Sequence, residues 1–476
     1  MFRCVFGMAV ALGNYFSIIL TEDGSIFGVG RNDTCALGCN DNVDRDTPVL
    51  ISLNKWSDDT AVMVSAGSNH SACVTAKGML YVWGSNTHGQ LGLAPDDEMM
   101  HIAKPKIVEL YVDGVSSRPP ATMVACGENF TALLTADGCV WTSGSGTMGE
   151  LGHEVLVDFK PIFTKIPSSR FNDKLISMVA IGAAHCIALD MGVTAELWSW
   201  GSNAFGQLGL GDNVFRSLPQ KLESHGEVLS SVAASGNISA ALGNGKLWVC
   251  GHGIYGALGL HTYGNLQVMT SVGLGGVFGD GGVKHVAIGW HHMIALTEDN
   301  RLFSWGLGSW AQLAQVYMVS SNKPIEVKLK LNEGDSVKLV AAGFRHQAIV
   351  TNHGILYTWG TWRNVAARRE LCELMPGVTK PHSEQAPVKT PFADFVSQRA
   401  GRWHVPRNFH FNTFAMGTHA RSADYESSPL GRVGSPVAIM NTDALSRIHA
   451  ELNRPVFQPS IHCGNGLRAL MGFGPK

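Results

Sequence analysis

The sequence predicts an all-β fold, a seven-bladed propeller of four-stranded blades, and three observations carry that prediction. A glycine followed three residues later by a histidine, a bulky residue or a small one occurs seven times, at intervals of 53 to 60 residues. The marked positions are Phe16, His70, Phe130, His185, Ser239, His292 and His346. A second glycine closes an apolar segment in every copy, often after tryptophan: Gly30, Gly84, Gly144, Gly201, Gly251, Gly306 and Gly360. The segments between are short and strand-like rather than helical. A period of about 50 residues with this content is that of a propeller blade. One such repeat cannot bury its own face, so the copies must stack and close into a ring.

Within a repeat the elements follow in a fixed order. In the second, Val62–Leu110, "MVSAG" and "SACVTA" are short apolar strands joined across Gly67-Ser68-Asn69-His70. Lys77-Gly78 then turns the chain into "MLYVWG". The matching turns are Asp23-Gly24, Asp137-Gly138, Asn244-Gly245, Asp299-Asn300 and His353-Gly354. Two-residue hairpin turns select these residue types because their central positions need positive φ. A glycine-rich loop, "GSNTHGQLG", leads into the proline-bearing "KPKIVEL". The repeats occupy approximately 5–57, 58–119, 120–174, 175–227, 228–282, 283–334 and 335–393, which places the propeller within 1–393.

The pattern VAxGxxHxxALTxxGxLYxWGxNxxGQLG, matched closely at 62–93, 178–210 and 285–306, resembles the repeat of the regulator of chromosome condensation family. The resemblance covers roughly residues 5–391 and implies a seven-bladed propeller. It also implies the founding function of that family, guanine-nucleotide exchange on the small GTPase Ran with the propeller held on chromatin. Two departures weigh against carrying exchange over. In that family exchange depends on a wedge inserted in the third repeat, whereas here Gly144–Pro161 is no longer than Gly30–Pro48 or Gly201–Pro219. The chain also enters its first strand near residue 5, with no basic arm before it to grip DNA.

Composition narrows the classes further. With 45% hydrophobic residues, 16% charged and 55 glycines, the chain reads as a turn-rich β protein with a full core. A net charge of −2 gives no global pull towards nucleic acid or an anionic membrane. No apolar run approaches the roughly 20 residues needed to span a bilayer. The charge is uneven, however. Residues 399–476 carry nine Lys+Arg against four Asp+Glu, a net of +5, which leaves −7 on residues 1–398. This Arg-rich stretch either docks on its own acidic body or binds an acidic partner.

Segment 394–476 has two readings. In one it adds a degenerate eighth blade, with Gly401-Arg402-Trp403-His404 repeating the glycine-to-histidine step and Phe411–Gly417 as a closing strand. In the other it is a separate tail packed on the seventh blade. Either way Leu445, Ile448 and Leu452 share one face of a short helix. Met8–Gly13 aligns with Val62–Gly67, so the cleavage-like Ala9-Val10-Ala11 is expected to be a strand of the first blade. Of ten cysteines only Cys35 and Cys39 are close, and no second pair follows at ligand spacing, so no metal is expected. The cysteine pattern fits a reducing compartment, intracellular and either cytoplasmic or nuclear.

Chemistry-bearing motifs resolve mostly into structure. Gly144, Gly146 and Gly149, and again Gly251, Gly253 and Gly256, spell G-x-G-x-x-G, but a dinucleotide site needs the last glycine to open a helix. Here both strings are the repeat's own loop. The histidines at 70, 185, 292 and 346 share a position that phenylalanine fills elsewhere, so they are packing groups. Trp83, Trp200, Trp305 and Trp359 precede the strand-ending glycine and are expected between blades. Other aromatics fall in loops beside cationic residues, which are the usual anchors of a binding surface. The candidates for partner binding are Trp290, His291, Trp310 and Arg345, then Trp362, Arg363, Arg368 and Arg369 in the long Thr361–Pro391 insertion, and finally Arg402 and Trp403.

No catalytic, cofactor or metal residue is assigned. The expected function is non-catalytic, a rigid scaffold whose loop faces bind a protein partner. The alternatives are an exchange factor for a Ran-like small GTPase and a chromatin or nucleic-acid module acting through the Arg-rich segment.

Overall fold

The computed structural model describes residues 9–360 apart from 53–58, 94–99, 113–114, 193–194, 224–226, 274–275, 316–318 and 330, together with the backbone of 388–389. Seven antiparallel sheets of four strands follow one another, each strand paired with the next in sequence. We letter the strands A to D from the centre outwards. In blade two they are Ala61–Ala66, His70–Thr75, Leu80–Ser85 and His101–Ile107. The A strands of the other blades are Ala9–Leu12, Ala121–Cys126, Ile176–Ile181, Leu229–Ser235, Val283–Ile288 and Val337–Ala342. Each packs on the A strands of both neighbours, the last against the first, so the ring is closed.

Strand chemistry follows position. Every B strand is buried along its whole length, because neighbouring blades cover both of its faces. The B strands therefore read as continuous small and apolar runs with no alternation. The D strand is the free edge of its sheet, and five of the seven carry proline, at 48, 105, 161, 219 and 324. Proline cannot donate to a further strand, so it belongs at an edge and discourages pairing there. The D strand of blade seven is Val388–Lys389, paired with Thr358 and Tyr357. Every blade is thus contiguous in sequence, and the ring closes by side-chain packing of Val10, Leu12 and Ile19 on Ala341, Ala348 and Val350. The link between blades two and three includes a two-stranded hairpin, Leu110–Val112 with Val115–Ser117.

The strand-ending glycine is demanded by crowding. All seven have φ between +97° and +114°, where side chains are rarely tolerated. A Cβ on Gly84 would lie 2.7 Å from the Asn69 carbonyl oxygen, and one on Gly251 would lie 2.2 Å from that of Asn237.

The register corrects one sequence expectation. This glycine faces Phe16, His70, Phe130, His185, His292 and His346 in six blades, but in blade five Gly251 faces Ile238. Ser239 therefore stands one step beyond the repeated position. The cause is a displaced glycine: Gly236, at φ +49°, lies inside the turn, and Ser235 takes the place glycine holds elsewhere.

Adjacent blades are latched by buried polar groups. The indole N–H of Trp83, Trp200, Trp305 and Trp359 donates to the carbonyl of Ala36, Glu150, Ala257 and Gln312 respectively, at 2.8 to 3.0 Å. Each acceptor lies in the C–D loop of the preceding blade. His70 Nε2 meets Thr131 Oγ1 and His185 Nε2 meets Ser239 Oγ, both at 2.9 Å, and His346 Nε2 meets Ser17 Oγ at 3.5 Å. The apolar occupants of the same position, Phe16, Phe130 and Ile238, are buried in the core clusters. The eighth-blade reading, the 445–452 helix and the candidates Trp362, Arg363, Arg368, Arg369, Arg402 and Trp403 lie outside the described residues.

Candidate functional site

Up-and-down meander topology sends all A–B turns and C–D loops to one face, and all B–C turns and D–A links to the other. Because A strands are innermost, the A–B turns rim the mouth of the central channel. Each rim turn holds two residues between the glycine position and the inward-pointing one. Around the ring these are Asn14-Tyr15, Ser68-Asn69, Glu128-Asn129, Ala183-Ala184, Gly236-Asn237, Trp290-His291 and Phe344-Arg345. Their chemistry is not repeated.

Blades five, six, seven and one bring their aromatic groups into a continuous belt, joined at one end by Phe205 of blade four. Phe205 stacks on His252 with ring centroids 4.1 Å apart, and His252 meets His291 edge-on at 5.3 Å. His291 contacts Tyr255 at 5.5 Å and Trp290 at 5.1 Å. Trp290 lies 5.5 Å from Phe344, which lies 5.5 Å from Tyr15 across the ring closure. The Arg345 guanidinium sits 4.3 Å from the Trp310 centroid and 5.0 Å from that of Phe344. Tyr255 is exposed and the other aromatic members are half-buried, so the belt offers area to a ligand while remaining anchored.

The two belt histidines act as aromatic surfaces. Burial, and then the neighbouring His252 and His292, push the His291 imidazole down to about 3. Burial also lowers His252. Both rings are therefore neutral near pH 7 and stack without carrying charge.

Across the ring, blade three is acidic. Glu150 in its C–D loop is almost fully buried and accepts hydrogen bonds from Ser145 Oγ at 2.8 Å and the Met148 N–H at 2.7 Å. Burial raises its carboxyl. Glu128, half-buried on the rim, is pushed up to about 7 by burial and by the charge of Glu150. Among the described residues neither has an ion-pair partner.

The inward histidines at 70, 185, 292 and 346 have no exposure, and burial pushes them down to about 3, 3, 3 and 4. They are neutral packing groups with no access to substrate. Neither G-x-G-x-x-G string opens an α-helix; the second makes a single turn, Ile254–Gly256. Among the described residues no three His, Cys, Asp or Glu side chains converge, and burial raises the Cys35 thiol and pushes that of Cys39 up to about 11. A small cavity lies between blades four and five, against Leu222, Trp248 and Met269. It holds about 20 Å³, room for one water.

Of the sequence candidates, the structure gathers Trp290, His291, Trp310 and Arg345 on one face. Sequence reasoning missed Tyr15, Phe205, His252, Tyr255 and Phe344, and it missed the opposing Glu128. A usable signal was present: aligning the two variable rim residues of successive repeats sets Trp290-His291, Phe344-Arg345 and Asn14-Tyr15 side by side.

The family profile described as RCC1-like domain matches residues 3–315, and that of the regulator of chromosome condensation (RCC1) repeat matches 299–350. The ultraviolet-B receptor UVR8 of Arabidopsis thaliana is 27% identical over 361 residues, covering 75% of this chain and 77% of the receptor. The human regulator of chromosome condensation is 27% identical over 360 residues, covering 71% of this chain and 81% of that protein. The crystal structure of human WBSCR16 superposes with a TM-score of 0.62 at 22% identity, over 71% of this chain and 85% of that one. At that identity the likeness bears on the fold alone.

Proposed function

The chain belongs to the RCC1-like family, and on that premise we propose that it is a non-catalytic scaffold binding a protein partner through the A–B and C–D loop face. The observation that carries this reading is the belt from Phe205 to Tyr15, flanked by Arg345. Aromatic and arginine side chains are the groups that dominate binding energy at protein interfaces. Tyr15, Trp290, His291, Phe344 and Arg345 are seated on short turns leading into fully buried strands, so little order has to be gained there on binding, and Phe205, His252, Tyr255 and Trp310 join them from the C–D loops. The relatives' names span a light receptor and a regulator of chromosome condensation, which leaves the partner open. Seven described cysteines, all free thiols, support an intracellular setting, cytoplasmic or nuclear. Among the described residues no helix is long and apolar enough to cross a membrane.

Exchange on a Ran-like GTPase is the second reading, and one feature of blade three speaks against it. Its C–D loop is turned by Gly149 N–H to Gly146 O at 3.2 Å and Gly152 N–H to Gly149 O at 3.0 Å. Blade four repeats this with Gly206 to Asn203 and Gly209 to Gly206, both at 3.0 Å. No wedge is added to the common design. The test compares capture from cell extract by the wild-type chain, Trp290→Ala and a surface control, Lys104→Ala. Loss of the same partner in Trp290→Ala alone supports the scaffold. Equal capture by all three, or accelerated nucleotide release from a Ran-like GTPase, sinks it. DNA binding that weakens steeply with salt would instead favour the chromatin alternative.

A further inference from the structure

We propose that the channel mouth is a bipolar peptide site, in which Arg345 takes an acidic side chain of a protein partner and Glu128 takes a basic one. This rests on the scaffold reading and adds the partner's chemistry.

Arg345 stands apart from the other arginines. Arg31, Arg45, Arg118, Arg170, Arg216 and Arg301 are each paired with a carboxylate: Asp33, Asp41, Glu109, Glu154, Asp212 and Asp299. Arg345 alone among the described arginines has no acidic partner. It is instead held by Trp310 and Phe344 in a half-buried place. Stacking uses the faces of a guanidinium and leaves the N–H edges, which match a carboxylate in bidentate fashion.

Glu128 presents the opposite problem. It is half-buried beside Glu150, and among the described residues no cation faces either. Two carboxylates crowded together resist joint ionisation. Glu150 already has its donors in Ser145 and the Met148 amide. Glu128 has none, and a basic side chain brought by a ligand would relieve it.

Both residues sit on A–B turns at the same mouth. Blades seven and three are three steps apart around a ring of seven, the greatest separation available. One small ion cannot serve both charges, whereas an extended chain can reach both. By the way through blades one and two the rim between them carries Asn14, Tyr15, Ser68 and Asn69, so beyond Tyr15, the last ring of the belt, the side chains are short. Apolar neighbours in such a peptide would meet the belt beside Arg345.

The test uses the full chain and fluorescent peptides carrying one Glu and one Lys, separated by about two to eight Gly/Ser residues. Glu-only and Lys-only peptides serve as comparisons, and binding is read by anisotropy. The best two-charge peptide is expected to bind about tenfold tighter than either single-charge one. Glu128→Gln and Arg345→Gln should each remove that advantage, with a single cooperative melt confirming the fold. Glu128→Lys should restore it for a peptide whose Lys is replaced by Glu. Equal binding by single-charge peptides, indifference to Glu128→Gln, or no binding up to about 1 mM overturns the proposal. Should Trp290→Ala lose the cellular partner while peptides show no charge dependence, the scaffold stands and this inference falls.

Discussion

The two ends of every A–B turn are nearly alike from blade to blade, and the two residues between them are not. The ends face the blade interfaces: the glycine position crowds its neighbour, and the inward residue reaches the next blade, as His70 reaches Thr131 and His185 reaches Ser239. The middle pair faces the channel mouth and runs from Ala183-Ala184 to Trp290-His291 and Phe344-Arg345. Repetition here marks the mechanical joint, because every blade meets the same neighbour. Variation marks the surface that meets something else.

Substitution at the joint should unfold, and substitution at the rim should not. The largest effect is expected for Gly84→Ala, which sets a Cβ 2.7 Å from the Asn69 carbonyl oxygen at φ +103°. We expect a loss of about 3 kcal/mol or more from urea unfolding. A loss below about 1 kcal/mol would break the argument that crowding fixes this residue.

Trp200→Phe should cost about 2 kcal/mol, since it strips the indole N–H from the buried Glu150 carbonyl and leaves a small void. Trp198→Phe tests the same residue type without the latch, and an equal loss there would remove the latch's claim.

The buried histidines predict a pH signature. Their folded-state values are depressed below the unfolded 6.5, so the stability they contribute is complete above that pH and drains away as pH falls towards 3 to 4. Each adds about 1.4 kcal/mol per pH unit to the slope in that window. His185→Phe, the residue blades one and three carry, should remove one such increment between pH 6 and 4. An unchanged slope would show that the ring titrates elsewhere.

At the rim the signs and sizes differ. Glu128 has its folded value raised to about 7, so its contribution is favourable below the unfolded carboxylate value and turns unfavourable as pH rises through 7. Glu128→Gln should therefore stabilise by about 1 kcal/mol at pH 8 and have no effect near pH 4, as read by thermal melts. The smallest change is expected for Arg345→Ala, about 0.5 kcal/mol, because only its stacking is lost. A loss as large as that of Trp200→Phe would make Arg345 part of the joint.

The joint was legible in the sequence and the rim was only partly so. Gly84 and Trp83 stand out because the same steric demand recurs in each copy. Blade five shows where recurrence misleads: Gly236 keeps the glycine-to-residue spacing, yet Ile238 occupies the inward position, since turn geometry rather than spacing sets the register. Trp290, His291, Trp310 and Arg345 were found from composition, as aromatic and cationic residues in loops. Phe344, Tyr15 and His252 were not, because a single aromatic in a turn carries no sign of its neighbour in the next blade. Glu128 was invisible for a related reason, since Glu150 belongs to another loop of the same blade and the spacing between them carries no pattern.

By itself the sequence determined the number of blades, the order of strands, the turns and, blade five apart, the residues of the inter-blade joint. These depend on contacts within a repeat or between identical neighbours, and a repeated demand leaves a repeated mark. Only the tertiary structure decided that Arg345 lies on Trp310 without a carboxylate, that Tyr15 meets Phe344 across the closure, and that Glu128 faces Glu150. The first two depend on the ring bringing different blades together and the third on two loops of one blade meeting, and none of these pairings has a local pattern in which to be recorded.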